Sequence, residues 1–260
     1  MAYIGLKYPV FAPIATEPDN ALPTYSAGLV VGHAMAAKVS IETSDSKLPA
    51  DDMIVEIDNS FISGKITAGI DDISSDAYRA WLGAQTATLG GESVIKDSGN
   101  AASPSGGFGY YRVRRKNGVR SLRAYWYPKV QFAVPSEDAS TKPDGAIEWQ
   151  APEFEGTIMA AKDADASWRF WKDFSVEADA VDWLKGLAHI GDAATLTALQ
   201  ADIATTAALS PETYTSASWV AVANALAEAQ AVAALAFPTQ ARADAAEDAL
   251  EAAVAALVTR

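Results

Sequence analysis

Alanine content changes abruptly near Gly191, and that break constrains the fold more than any other feature of the chain. Residues 191–260 hold 26 alanines in 70 positions, one glycine and three aromatic residues, Tyr214, Trp219 and Phe237. Residues 1–190 hold six of the seven tryptophans, 16 of the 17 glycines and ten of the 12 prolines. Alanine propagates helix, whereas aromatic and β-branched residues punctuated by glycine and proline suit short strands and turns. Charge divides as well: 18 basic residues face 25 acidic ones before Gly191, and two face eight after it. Two domains are expected, 1–188 and 189–260, with residues 185–191 as a short linker that carries two glycines.

The first domain reads as mainly β. Residues 38–43 (KVSIET) alternate, with Val39 and Ile41 on one face and Ser40 and Glu42 on the other. Strands are also expected over 54–57, over 61–70 with Ile62, Ile66 and Ile70 evenly spaced, and over 147–150, 153–161 and 168–175. Residues 110–115 and 120–134 flank Asn117-Gly118, the pair that a type I′ hairpin turn favours. One helix is expected, capped by Ser74 or Ser75, running to Leu82 and stopped by Gly83. Many strands and one helix imply a β-sandwich or barrel with a flanking α-helix. The second domain reads as a small all-α three-helix bundle. Its apolar stripes are Leu196, Leu199 and Ile203; Trp219, Val222, Leu226 and Ala229; and Ala246, Leu250, Val254 and Leu257, with breaks at 209–212 and 237–239.

Chemistry is sparsely represented. There is no cysteine, and His33 and His189 are the only imidazoles, so thiolate catalysis, Cys-based metal sites and a Ser-His-Asp triad lack material. Gly106-Gly107-Phe108-Gly109 reads as a loop, because a dinucleotide fingerprint needs a strand before it and a helix after it. Asp163-Ala164-Asp165 has no glycine at the sixth position and Phe174 at the twelfth, so it reads as loop charge and not a calcium loop. Asp51-Asp52 and Asp71-Asp72 lack a histidine partner. Tyr125-Trp126-Tyr127 cannot present one stacking platform if extended, because successive side chains point to opposite faces. The formal charge of -13 argues against electrostatic binding of nucleic acid. No apolar run is long enough for a membrane helix, and residues 1–18 lack a basic start followed by an apolar core, so neither membrane insertion nor a secretory signal is expected. The expectation is a soluble protein that is not an enzyme and uses no metal or cofactor.

Two charged segments stand out. Residues 45–58 carry Asp45, Asp51, Asp52, Glu56 and Asp58 between two alternating strands, and read either as a partner contact or as a solvated hairpin tip. Arg112, Arg114, Arg115, Lys116, Arg120 and Arg123 cluster around the Asn117-Gly118 turn. They fit an anion patch, a charged guard on an edge strand, or a surface that pairs with an acidic region of another copy, the last two being favoured in so acidic a chain. A third candidate contact is the proline-spaced segment 8–23, whose prolines at 9, 13, 18 and 23 argue against a helix or central strand of its own.

The first domain resembles the major tail proteins of long-tailed bacteriophages, which build the tail tube. The resemblance is carried by residues 27–74, especially Leu48-Pro49-Ala50-Asp51-Asp52 and Ser63-Gly64-Lys65-Ile66-Thr67, and by residues 107–158. The chain departs from that pattern at Pro49, where an aromatic is expected, and in a polar, glycine-rich insertion over 97–107. Residues 192–259 are similar to the three-helix FIVAR modules, on the strength of Leu209-Ser210-Pro211-Glu212 through Trp219 and of Phe237-Pro238-Thr239-Gln240-Ala241. The resemblance implies a structural virion subunit, assembled in the host cytoplasm into hexameric rings that stack as a tube. DNA would pass through without specific binding, and tape-measure and tail-terminator proteins would be further partners. It also implies that the 45–58 connection makes ring contacts. A projecting helical module could add weak adhesion to a host surface. The alternative is a carbohydrate-binding or adhesive surface protein.

Overall fold

Antiparallel pairing between residues distant in sequence dominates the first of the two units into which the computed structural model divides, Met1–Leu184 and Lys185–Arg260. The structure describes residues 2–50, 53–136, 152–235 and 237–260. In chain order the first unit contains β1 (Ala2–Thr16), β2 (Thr24–Tyr25), β3 (Leu29–Val30), β4 (Ala34–Thr43), β5 (Ser46–Ala50), β6 (Met53–Asp58) and β7 (Phe61–Ile70). Helix α1 (Ser75–Leu82) follows, then β8 (Gln85–Leu89), β9 (Glu92–Lys96), β10 (Ser105–Lys116), β11 (Val119–Phe132), β12 (Glu153–Ile158) and β13 (Phe170–Phe174). Helix α2 (Glu177–Ala188) begins in this unit.

The main sheet runs β2-β1-β10-β11-β12-β7-β4, with β3 also on β1 and β13 also on β11. This order forces the sheet to curl. β3 lies on β1, near one margin, and only residues 31–33 separate it from β4 at the other. Four Cα steps reach at most about 14 Å, so the two margins must approach one another at that end. The curl encloses an aromatic core of Phe11, Trp81, Phe108, Phe132 and Phe154, with Ile66, Ile70 and Ile158. Trp81, supplied by α1, sits among them with ring centroids 4.5 Å from Phe154 and 4.6 Å from Phe132. The Ser74 hydroxyl accepts from the Ala77 N–H at 3.2 Å and Gly83 ends α1 in the left-handed region, so this helix begins and stops where its caps predict. The fold is mainly β with accompanying helices, as expected.

Several local expectations need correction. Residues 106–109 are not a loop but part of β10. Glycine is required there because aromatic rings lie directly on the strand: a Cβ on Gly107 would overlap the Trp126 ring, and one on Gly109 would stand 2.7 Å from it. Prolines 9 and 13 do not keep residues 8–23 out of the sheet, since β1 runs through both. A register shift between Lys7 and Val10, with Tyr8 at φ 59°, lets Pro9 skip the ladder. The 185–191 linker is helical as far as Ala188, because Ala180, Leu184 and Ala188 form a buried four-residue stripe. Ile62 points to solvent although Ile66 and Ile70 are buried. The hairpin β8–β9 escaped the reading despite its Gly90-Gly91 turn. The strand expected over 147–150 lies outside the described residues.

The second unit contains α3 (Thr197–Ala207), a 3-10 turn at Pro211–Thr213, α4 (Ser216–Ala233) and α5 (Gln240–Ala255). Thr215 and Thr239 occupy the N-cap positions of α4 and α5. Leu199, Ala229, Val232, Ala243, Ala246 and Leu250 form its core, with Leu196, Ile203, Leu226 and Val254 packed around it. Trp219 stays half-buried and stacks on Tyr214 at 6.0 Å. The C-terminal residues strap across the bundle, where the Thr215 N–H donates to the Val258 carbonyl at 2.8 Å.

Candidate functional site

The acidic 45–58 segment folds as a two-stranded ribbon. β5 and β6 pair only with one another, in the register Ser46↔Asp58, Lys47↔Ile57 and Leu48↔Glu56, with a shift at Pro49. An isolated hairpin is marginal in water. This one also leaves Met53 69% and Ile57 50% exposed. Of its acidic residues, Asp45 is paired with Lys47 at 3.0 Å. Asp58 accepts from the Ser60 N–H at 2.9 Å, and that bond, with those from the Ser44 and Ser60 side chains, lowers its pKa. Glu56 is exposed and has no ion-pair partner among the described residues. Asp51 and Asp52 lie outside the described residues.

The arginine cluster has a different fate, because most of it is spent inside the chain. Asp173 on β13 accepts from Arg114 Nη1 at 2.9 and 2.8 Å and from Arg123 Nε and Nη2 at 2.6 and 2.7 Å. The Arg123 hydrogen bonds, joined by those from Arg114, hold the Asp173 carboxyl at about 2. Glu177, at the start of α2, accepts from the Tyr111 hydroxyl, from Arg120 at 2.8 Å and from Lys7 at 3.2 Å, and these bonds likewise hold it at about 2. Arg114, Arg120 and Arg123 thus have carboxylate partners that the linear pattern did not reveal. Each pairing joins β10 or β11 to a segment some 50 or more residues away. Arg112 instead lies over the Tyr3 ring, 3.8 Å from its centroid. Arg112 and Arg115 form no ion pair among the described residues.

Sheet margins complete the geometry. β4 pairs β7 on one side and has no strand on the other among the described residues. The start of β1 pairs only β10, since β3 joins at Val10–Phe11 and β2 at Ile14–Thr16. The solvent-facing side of β4, β7 and β12 forms a shallow polar trough with Lys38, Lys65, Glu42, Glu153 and Glu155, in which Lys65 pairs Glu155 at 2.8 Å.

The remaining motifs have structural duties. Asp163 accepts from the Ser167 N–H and hydroxyl at 2.7 and 2.6 Å and closes a tight turn. Asp71 accepts from the backbone N–H groups of His33 and Asp72, and its carboxylate lies 3.2 Å from His33 Nδ1, so contrary to expectation it has a histidine neighbour, brought from 38 residues away. Tyr125, Trp126 and Tyr127 are all buried, which removes them as a sugar platform. Asp202, Glu247 and Glu251 in the helical unit bring carboxylate oxygens within 4.8 Å of one another, the one such acidic group among the described residues that could reach a cation. No helix among the described residues is long and apolar enough to cross a membrane. Searches against protein-family models and curated proteins find no match to this chain.

Proposed function

We propose that the chain is a structural subunit of a bacteriophage tail tube, self-assembling into stacked hexameric rings, with the helical unit as an exterior decoration. The observation that carries this reading is that β4 and the start of β1 each leave one edge without a strand partner among the described residues, in one curled sheet. Beyond the end where β4 nears β1, the free edge of β4 invites strand addition, and two different free edges on one subunit suit head-to-tail joining, which closes as a ring. The β5–β6 ribbon, which exposes Met53 and Ile57 and joins no other strand among the described residues, is suited to reach the next ring. The polar trough on β4, β7 and β12, which carries no arginine, is the surface we assign to the bore. Its balance of lysine and glutamate gives a DNA backbone little to hold.

Negative-stain microscopy and sedimentation of the purified protein test the proposal. Rings or tubes are expected, and a species that stays at 27.3 kDa at every concentration would overturn it. Replacing residues 45–58 by a tight turn is expected to abolish tubes; normal tubes at normal yield would remove the ribbon from the interface. Deleting residues 191–260 is expected to leave assembly intact.

A further inference from the structure

We infer that the acidic face of the β5–β6 ribbon of one copy docks on the Arg112 face of the β10–β11 hairpin of another. This deepens the self-assembly reading above and rests on it, but its test is separable. The internal pairing of the arginine cluster narrows the choice of contact. Arg114 and Arg123 both meet Asp173, whereas Arg112, on the same face, forms no ion pair among the described residues. Asp173 is already filled by four hydrogen bonds from Arg114 and Arg123, which leaves Arg112 without a carboxylate partner among the described residues.

Arg112 is also held ready to bind one. Its guanidinium lies over the Tyr3 ring, and that of Arg123 over Trp171, each 3.8 Å from the ring centroid. Stacking occupies the face of a guanidinium and leaves the N–H edge to meet a carboxylate, with little side-chain entropy left to lose. Trp171 remains 51% exposed beside this charge, which makes the patch aromatic as well as basic. Arginine and exposed aromatics together are the composition of interface anchors.

The ribbon is complementary. Asp58 lies opposite Ser46 and Glu56 opposite Leu48, so Glu56 and Asp58 share one face of the ribbon, and Ile57, opposite Lys47, lies on the other. Asp58 is engaged with Ser60, so Glu56 is the carboxylate on that face with capacity for a bidentate partner. A chain with formal charge -13 gains from directing its acidic ribbon to one of its few cationic surfaces. Because patch and ribbon are different regions of the subunit, the contact is able to propagate head to tail from copy to copy.

Charge exchange tests the pairing in the full chain. Self-association of wild type, Arg112→Glu, Glu56→Arg and the double variant is measured by sedimentation at low and high salt, alongside microscopy. Each single variant is expected to weaken association at least about tenfold, because it sets like charges together. The double variant, and an equimolar mixture of the two single variants, should recover it. Arg112→Gln, which removes attraction without adding repulsion, should fall between and carries the test if Arg112→Glu does not fold. Single variants that associate as wild type does, with tubes intact, overturn the docking and leave the tube reading standing. Rescue by charge exchange in oligomers that never form tubes supports the docking and ends the tube reading. A wild-type chain that remains monomeric ends both.

Discussion

Where the sheet unit brings a ring onto a strand, it removes the side chain from the backbone; where the helical unit brings helices together, it places alanines among the larger side chains of the contact face. Gly107 and Gly109 bare β10 so that the Trp126 ring can lie on it, while Ala229, Ala243 and Ala246 bring helices together around Leu199 and Leu250. The first solution builds a core from a few large rings, each irreplaceable. The second builds one from many small, similar contacts, any of which can be altered at modest cost. The units also differ in charge. In the sheet unit Asp173 and Glu177 each collect several cationic or hydroxyl donors. In the helical unit Arg242 and Arg260 form no ion pair among the described residues, and Glu247 sits near Asp202 and Glu251. Internal charge pairing thus concentrates in the sheet unit.

Trp81→Ala is the hardest blow to this contrast. Loss of the ring at the centre of the sheet core should cost about 3–5 kcal/mol. Calorimetry should then show the sheet unit melting early while the helical transition stays in place; a joint shift of both transitions would dissolve the two-unit description. Gly107→Ala should come next, at about 1–3 kcal/mol from overpacking against Trp126. An alanine-to-glycine change at Ala243 in α5 should cost only about 1 kcal/mol, and urea titration ranks the two. Asp173→Asn leaves Arg114, only 8% exposed, beside a neutral amide. Because Asp173 itself is 44% exposed, screening reduces the usual penalty for breaking a buried pair to about 1–2 kcal/mol.

Acid titration gives the smallest effect and the sharpest contrast, since the two units should respond with opposite sign. Asp173 and Glu177 are held at about 2, from ordinary values of 3.8 and 4.5. The stability they confer is complete above those ordinary values and is lost as pH falls through about 2. Glu247 is pushed above its ordinary 4.5 by partial burial and by the charges of Asp202 and Glu251. Its repulsion is relieved as pH falls through that raised value, and the benefit is complete below 4.5. Thermal melts between pH 7 and pH 2 should show the helical unit gaining before the sheet unit begins to lose. A parallel loss in both would contradict the charge arrangement described for α5.

Residues whose partners are close in sequence were the legible ones. Ser74 and Gly83 delimit α1, Asn117-Gly118 turns the β10–β11 hairpin with φ of 51° and 82°, and the three- and four-residue spacing of Leu196, Leu199 and Ile203 marks α3. Each of these depends on interactions that span one turn or less. β1 was missed because its prolines argue against a strand, and only a bulge at Tyr8, stabilised by pairing with β10 a hundred residues away, makes room for them. The glycines of β10 were misread for the same reason, since the rings that require them come from β1 and β11.

The charged segments divide along the same line. Local sequence was enough to place the acidic residues 45–58 on a connection between strands and to gather five arginines at one hairpin. Which of those arginines already have a carboxylate was decided only by the tertiary fold, when β13 and α2 brought Asp173 and Glu177 across to them. Hydrogen-bonded periodicity is written into neighbouring residues, and so composition and spacing determined the mainly β and the all-helical regions. Long-range electrostatic pairing depends on chain reversal in space, which no short window of sequence contains.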